Sequence, residues 1–241
     1  MSSYILTDPA LLSEKISEGD TITEVLDAII DPDIVGRVNL LTYEAPPKGY
    51  ERETNPDEIS SSVVWMNHNN KREEDNAFSL RAGAFREWHS VVDEHNLLGE
   101  NELVAAYSRI SPKTFSLRPD PEVGDLSFSA GDSGGTKDMH IPMIDFSVEP
   151  SDHAHTLIRR LLDDLFEQHG ALLYSGRSYH YIGFRLMSHD RWETFMHRLL
   201  LASPALVDAP WVGHRLLYGA ASLRLNFAAS KPKEPVVMDV F

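Results

Sequence analysis

Within six residues, Ser175-Gly176-Arg177-Ser178-Tyr179-His180 offers hydroxyls, a planar guanidinium and an imidazole. These groups suit phosphate oxygens, because Arg binds them bidentately while hydroxyls and a protonated imidazole donate hydrogen bonds. Gly176 allows a tight backbone turn that a residue with a Cβ resists. The same letters also fit a polar hairpin with no ligand. A second candidate lies upstream, where Asp145, Ser147 and Glu149 alternate with apolar residues. A carboxylate near an Arg and a His is chemistry suited to a divalent cation and a polyphosphate.

Strands and helices must position these groups. Residues 140–149 predict a strand with Ile144, Phe146 and Val148 on one face and Asp145, Ser147 and Glu149 on the other. Ser151 can cap a helix over 152–169, with Gly170 just past its end. Strands over about 171–175 and 179–187 flank the turn, and in a regular strand His180 shares a face with Ile182, Phe184 and Leu186. A further helix buries Trp192, Phe195, Met196, Leu199 and Leu200, and a last strand runs over 222–227. The order is β-α-β-β-α-β, the RRM-like or ferredoxin-like arrangement, in which one sheet face stays open to carry Asp145 and the turn.

Upstream, Ile22, Val25, Leu26, Ile29 and Ile30 have helical spacing, 42–60 reads as a loop, 62–66 as a strand and 76–95 as a second helix. A Pro- and Gly-rich stretch near 119–138 marks a junction between an acidic N-terminal α/β module, 1–130, and a second module, 139–241. The fold class expected is α+β.

The chain has 241 residues and a net charge of −15, so its surface as a whole does not suit nucleic acid. The charge is uneven. Residues 1–138 carry 26 acids and 12 bases, whereas 139–241 carry 11 acids and 10 bases, eight of them Arg. Arg preference fits phosphate or carboxylate recognition, and the acidic part fits solubility or a basic protein partner. Zero cysteines exclude disulfides and thiolate metal sites. No apolar run reaches membrane-spanning length and the N-terminus does not read as a secretory signal, so a cytoplasmic location is expected. His153 and His155, two residues apart, do not share a helix face and make a poor metal pair.

Taken together, residues 140–235 resemble the archaeo-eukaryotic primase superfamily, which includes the primase-polymerases. The resemblance rests on Met143-Ile144-Asp145-Phe146-Ser147, on Ser175-Gly176-Arg177-Ser178-Tyr179-His180, and on Trp211-Val212-Gly213-His214-Arg215-Leu216 leading to Leu223-Arg224-Leu225 and Lys231. It implies that Asp145 is catalytic and holds a divalent cation, Mg or Mn. It also implies that Ser175, Arg177, His180, Arg224 and Lys231 contact the phosphates of a nucleoside triphosphate or nucleic acid. The chain departs from the family pattern at Ser147, where a second acid belongs, and at Gly213 or His214, where a later acid belongs. His214 could join Asp145 on a softer ion such as Mn²⁺, and Asp208 is another acid nearby in the chain. The expectation is a primase-polymerase-like protein that binds phosphate, with nucleotidyl transfer weak or lost. The alternatives are a non-catalytic module that docks a protein through its acidic part, and a metal-dependent nuclease or hydrolase using Asp145, His180 and His214.

Overall fold

The computed structural model describes residues 4–5, 12, 14–30, 35–44, 77–81, 102–112, 139–165, 169–202, 205–227 and 231–241. The strand expected at 62–66, residues 82–95 of the expected second helix, the loop at 45–60 and the junction near 119–138 lie outside them.

Thr21 starts α1 (Ile22–Ile29) through a reciprocal capping box. Its backbone N–H donates to Glu24 Oε2 (2.7 Å) and its Oγ1 accepts from the Glu24 N–H (3.3 Å). The helical spacing read from the sequence is met, since Ile22, Val25, Leu26 and Ile29 are all buried. Ser151 caps α2 (Asp152–Asp164) by accepting from Ala154 N (3.1 Å), and α2 buries Ala154, Ile158, Leu161 and Leu162. The helix α3 (His189–Ala202) buries Trp192, Phe195, Met196 and Leu199.

The strands form two antiparallel sheets. The larger contains β1 (Tyr4–Ile5), β2 (Val35–Glu44), β3 (Ala77–Arg81), β4 (Glu102–Pro112), β5 (Met139–His140), β9 (Arg185–Ser188) and β10 (Ser222–Arg224), and the smaller contains β6 (Met143–Asp145), β7 (Gly170–Tyr174), β8 (Tyr179–Gly183) and β11 (Val236–Val240). The larger runs β1-β9-β5-β4-β2-β3, with β10 also on β4. The smaller runs β11-β7-β8-β6. The long β4 pairs with β2 along one edge. Its other edge is divided between β10 at 105–107 and β5 at 109–110. Mixed helices and antiparallel sheets make the chain α+β.

Two strands expected to be continuous are each cut in half and shared between the sheets. The strand over 140–149 breaks at Ile141-Pro142, where proline interrupts the ladder. Met139–His140 therefore joins the larger sheet and Met143–Asp145 the smaller. The strand over 179–187 breaks at Phe184 in the same way, and Gly183 N donates to Pro142 O (2.8 Å) at the crossing. The last strand, 222–224, pairs with β4 of the larger sheet and stays out of the sheet that carries Asp145.

Buried side chains also tie the elements together. Ser108 Oγ accepts from Ala221 N (2.9 Å) and shares a hydrogen bond with His140 Nδ1 (3.2 Å). His140 Nε2 in turn lies within hydrogen-bonding distance of His189 Nδ1 (3.0 Å), while His189 Nε2 lies 3.5 Å from Glu193 Oε1. Trp192 stacks on His140 at a centroid distance of 4.5 Å. His155 and Arg159 of α2 both donate to Asp239 Oδ2, at 2.8 and 2.7 Å, and fasten β11, so His155 has a structural hydrogen-bonding role.

Other expectations need correction. Gly170 opens β7 and does not end a helix, for α2 stops at Asp164, and a Cβ at Gly170 would overlap the Tyr181 ring. Residues 77–81, read as helix, form β3 on β2, and 42–44, read as loop, continue β2. Segment 209–218, not assigned to any element, is a helix, α4 (Ala209–Tyr218). No sheet face around Asp145 is left open, because Met143, Ile182 and Leu173 are as fully buried as Ile144, Leu172 and Tyr181 on the opposite side. Among the described residues no helix is long and apolar enough to cross a membrane.

Candidate functional site

The hairpin of β7 and β8 presents the Ser175–Ser178 turn. Ser175 N donates to Ser178 O (3.0 Å), and Ser175 Oγ donates to the same carbonyl (3.1 Å) while lying 3.2 Å from Ser178 Oγ. Tyr174 Oη donates to Gly176 O (2.7 Å). Gly176 has φ +97°, in the region glycine tolerates best, and a Cβ there would stand 3.3 Å from Lys233 Cβ. The Ser175 hydroxyl, in a residue 8% exposed, is thus committed to shaping the turn. Arg177 projects from the tip into solvent.

Asp145 ends β6 and is the cross-strand partner of His180 on β8. Its Oδ1 lies 3.5 Å from His180 Nε2, and 28% of the Asp145 side-chain surface stays accessible. Burial, followed by the charge of Asp208, pushes the Asp145 carboxyl from 3.8 up to about 7, against the opposing pull of Lys231, Arg224 and Arg215. Burial, then Arg224 and Lys231, drives His180 down to about 3. His180 is therefore a neutral imidazole at neutral pH, and its contact with Asp145 is not an ion pair. Its Nδ1 is buried with no hydrogen-bond partner among the described residues.

Lys231 is half-buried on the C-terminal segment. Burial and the neighbouring Arg224 push its ammonium below the usual lysine range, Asp145 opposes them, and Arg177 adds to them. Three cations and one acid therefore act on one another in this corner of the molecule. Lys233 stands beside them, with its Nζ 5.3 Å from the centroid of the Tyr174 ring. Arg224 is 6% exposed, and its guanidinium donates to the carbonyls of Ser175 (2.7 Å), Lys233 (2.8 Å) and Asn226.

Asp208 is brought to Asp145 by the backbone. Phe146 forms a bridge with Val207, and Asp208 N donates to Asp145 O (3.2 Å). Its side chain caps α4 by accepting from Trp211 N (2.9 Å). His214, expected near Asp145 as a metal ligand, sits half-buried within α4. Arg215 of the same helix is buried, donates to Ser222 Oγ (2.8 Å) and contributes its charge to Asp145. Ser147 and Glu149 are exposed beyond the end of β6. Among the described residues no group of three or more His, Asp and Glu has the arrangement of a metal site.

The arrangement thus gathers Asp145, His180, Arg177, Arg224 and Lys231 around the turn, as their order in the sequence suggested. It also brings in Asp208, the further acid named from the sequence, and adds Arg215 and Lys233. Asp208 had a local signal: an acid followed by Ala209-Pro210, the pattern of an N-cap with proline in the first helical turn.

A family model described as archaeo-eukaryotic primase 1D-like matches residues 114–236, just over half of the chain, and spans every residue of this cluster. No curated protein and no solved structure matches the chain significantly.

Proposed function

The chain belongs to the archaeo-eukaryotic primase 1D-like family, and from that premise we propose that it binds the phosphates of a nucleoside triphosphate or of a nucleic-acid strand at the Ser175–Ser178 turn. It is a primase-polymerase-like protein in general character. The observation that carries the finer reading is the coupling of Arg177, Lys231 and Arg224 beside a glycine-dependent turn. Like charges held together without an anion repel one another, and a polyphosphate relieves that repulsion.

In this reading Arg177 and Lys231 make the direct phosphate contacts, and Ser175 holds the turn's shape. His180, held neutral by burial and then by Arg224 and Lys231, still carries one ring N–H that could be offered to a phosphate oxygen.

A divalent cation, Mg or Mn, belongs beside Asp145 and Asp208. The fit is electrostatic: burial and then the charge of Asp208 raise the pKa of Asp145, and a bound cation would offset both. Two acids suffice for one Mg²⁺ that keeps its waters and shares phosphate oxygens. When bound, the cation would neutralise phosphate charge and favour attack by a 3′-hydroxyl. With Ser147 in place of a second strand acid, nucleotidyl transfer is weak or lost.

Calorimetric titration with a nucleoside triphosphate and Mg²⁺ or Mn²⁺, alongside template-directed incorporation, tests this reading. Binding by the wild type with little or no incorporation is the expected outcome. Efficient incorporation that Asp145→Ala abolishes would overturn the weak-activity part. Absence of binding to nucleotides and oligonucleotides at low salt, together with a tight protein complex, would make the chain an interaction module.

A further inference from the structure

We propose that Arg224 is a positioning residue: it fastens the phosphate turn to the Lys231–Lys233 segment through backbone carbonyls and does not itself bind phosphate. This inference rests on the phosphate-site reading above.

The geometry of the guanidinium carries it. Arg224 Nη2 donates to Ser175 O (2.7 Å), at the first residue of the turn. Nη1 donates to Lys233 O (2.8 Å), two residues after Lys231, and also to Asn226 O. These carbonyls belong to segments far apart in sequence, and Asn226 is itself anchored, its Oδ1 accepting from Val104 N of β4 (2.9 Å). Leu225 N donates to Val104 O (2.7 Å) beside it. One side chain therefore joins the hairpin of the smaller sheet and the C-terminal segment to the larger sheet. The close packing of Gly176 on Lys233 is a second contact between the same two segments.

A planar fork can serve several carbonyls at fixed angles, whereas an ammonium on a flexible stem cannot reproduce that geometry. Carbonyls are neutral, so they satisfy the donors while the positive charge persists. That charge depresses both His180 and Lys231. Arg224 is 6% exposed, whereas Arg177 is exposed, and the Arg224 guanidinium is aimed at protein backbone.

The test uses the full chain and inorganic tripolyphosphate. Calorimetry compares wild type with Arg177→Ala, Arg224→Lys and Arg224→Gln, with circular dichroism as a check on folding. Both Arg224 variants are expected to lose at least tenfold in affinity, with no rescue by the charge-conserving Lys. A crystal of the wild type with tripolyphosphate is expected to show phosphate oxygens on Arg177 and Lys231 and none on Arg224. This second measurement decides the matter even where the Arg224 variants do not fold. Wild-type affinity in Arg224→Lys, or a phosphate oxygen hydrogen-bonded to Arg224, overturns the inference while leaving the phosphate site intact. No binding by the wild type, or full binding by Arg177→Ala, overturns the phosphate-site reading and the inference with it.

Discussion

At Asp145, burial and the charge of Asp208 outweigh the three nearby cations and oppose the ionised form. Its carboxyl is pushed from 3.8 up to about 7, so the folded chain holds a proton there that the unfolded chain releases. The sign follows: this group's contribution to stability is fully present below about 3.8 and is lost as pH rises toward 7. Asp145→Asn keeps the shape and removes the charge. It should stabilise the fold at pH 8 by roughly 2–4 kcal/mol at most, since one pKa unit is about 1.4 kcal/mol, and by much less at pH 5. Urea unfolding at the two pH values checks this. A residue that weakens its own fold is what a site for an external cation requires, and the same Asn variant should lose cation-dependent nucleotide binding. His180 is the counterpart: buried and paired across the strand with Asp145, it is held neutral first by burial and then by Arg224 and Lys231.

Among the elements, the turn depends on a left-handed glycine set against Lys233. Gly176→Ala should destabilise by about 1–2 kcal/mol, the usual penalty for a Cβ in that region, and should weaken triphosphate binding as the turn moves away from Lys233. Thermal unfolding and calorimetry report the two effects separately. The turn and its flanking strands were legible in the sequence because Gly176 and polar residues interrupt two apolar runs. The helices α2 and α3 were legible because their apolar residues recur with helical period through a full buried stripe. Helix α4 was missed because its core-facing stripe is short and interrupted by charge: Val212 and Arg215 are buried and only Trp211 and Leu216 add partly buried apolar surface to the main core, although Asp208, Pro210 and Gly219 carried its start and stop signals. At 77–81, Phe78 and Leu80 alternate as a strand does, and helical spacing further on obscured that shorter period. The sheet switches at Pro142 and Phe184 are decided by which partner strand is nearest, which alternation along one strand does not encode.

At the scale of the whole molecule, two opposing proton linkages shape stability. His140, held near 3 by burial and by the charges of His189 and Arg109, is neutral in the fold and protonated below about 6.5 when unfolded. Its contribution is therefore present above 6.5 and lost as pH falls toward 3, the reverse of Asp145. In the window from about 4 to 6.5, His140→Gln should remove about one proton from the difference in uptake between unfolded and folded chains, and Asp145→Asn should add about one. Unfolding free energies across that window measure both slopes. The net charge of −15 adds a second molecule-wide effect: it disfavours polyanions overall, so binding at the proposed Arg177 and Lys231 site should be local and salt-sensitive.

The central claim is that the Ser175–Ser178 turn with Arg177 and Lys231 is a phosphate site. Calorimetric titration of a nucleoside triphosphate with Mg²⁺ into wild type and Arg177→Ala tests it most directly. Saturable binding by the wild type, weakened at least tenfold in the variant, about 1.4 kcal/mol, is the result expected. Equal affinity in the two proteins, or no binding by the wild type at low salt, would contradict it.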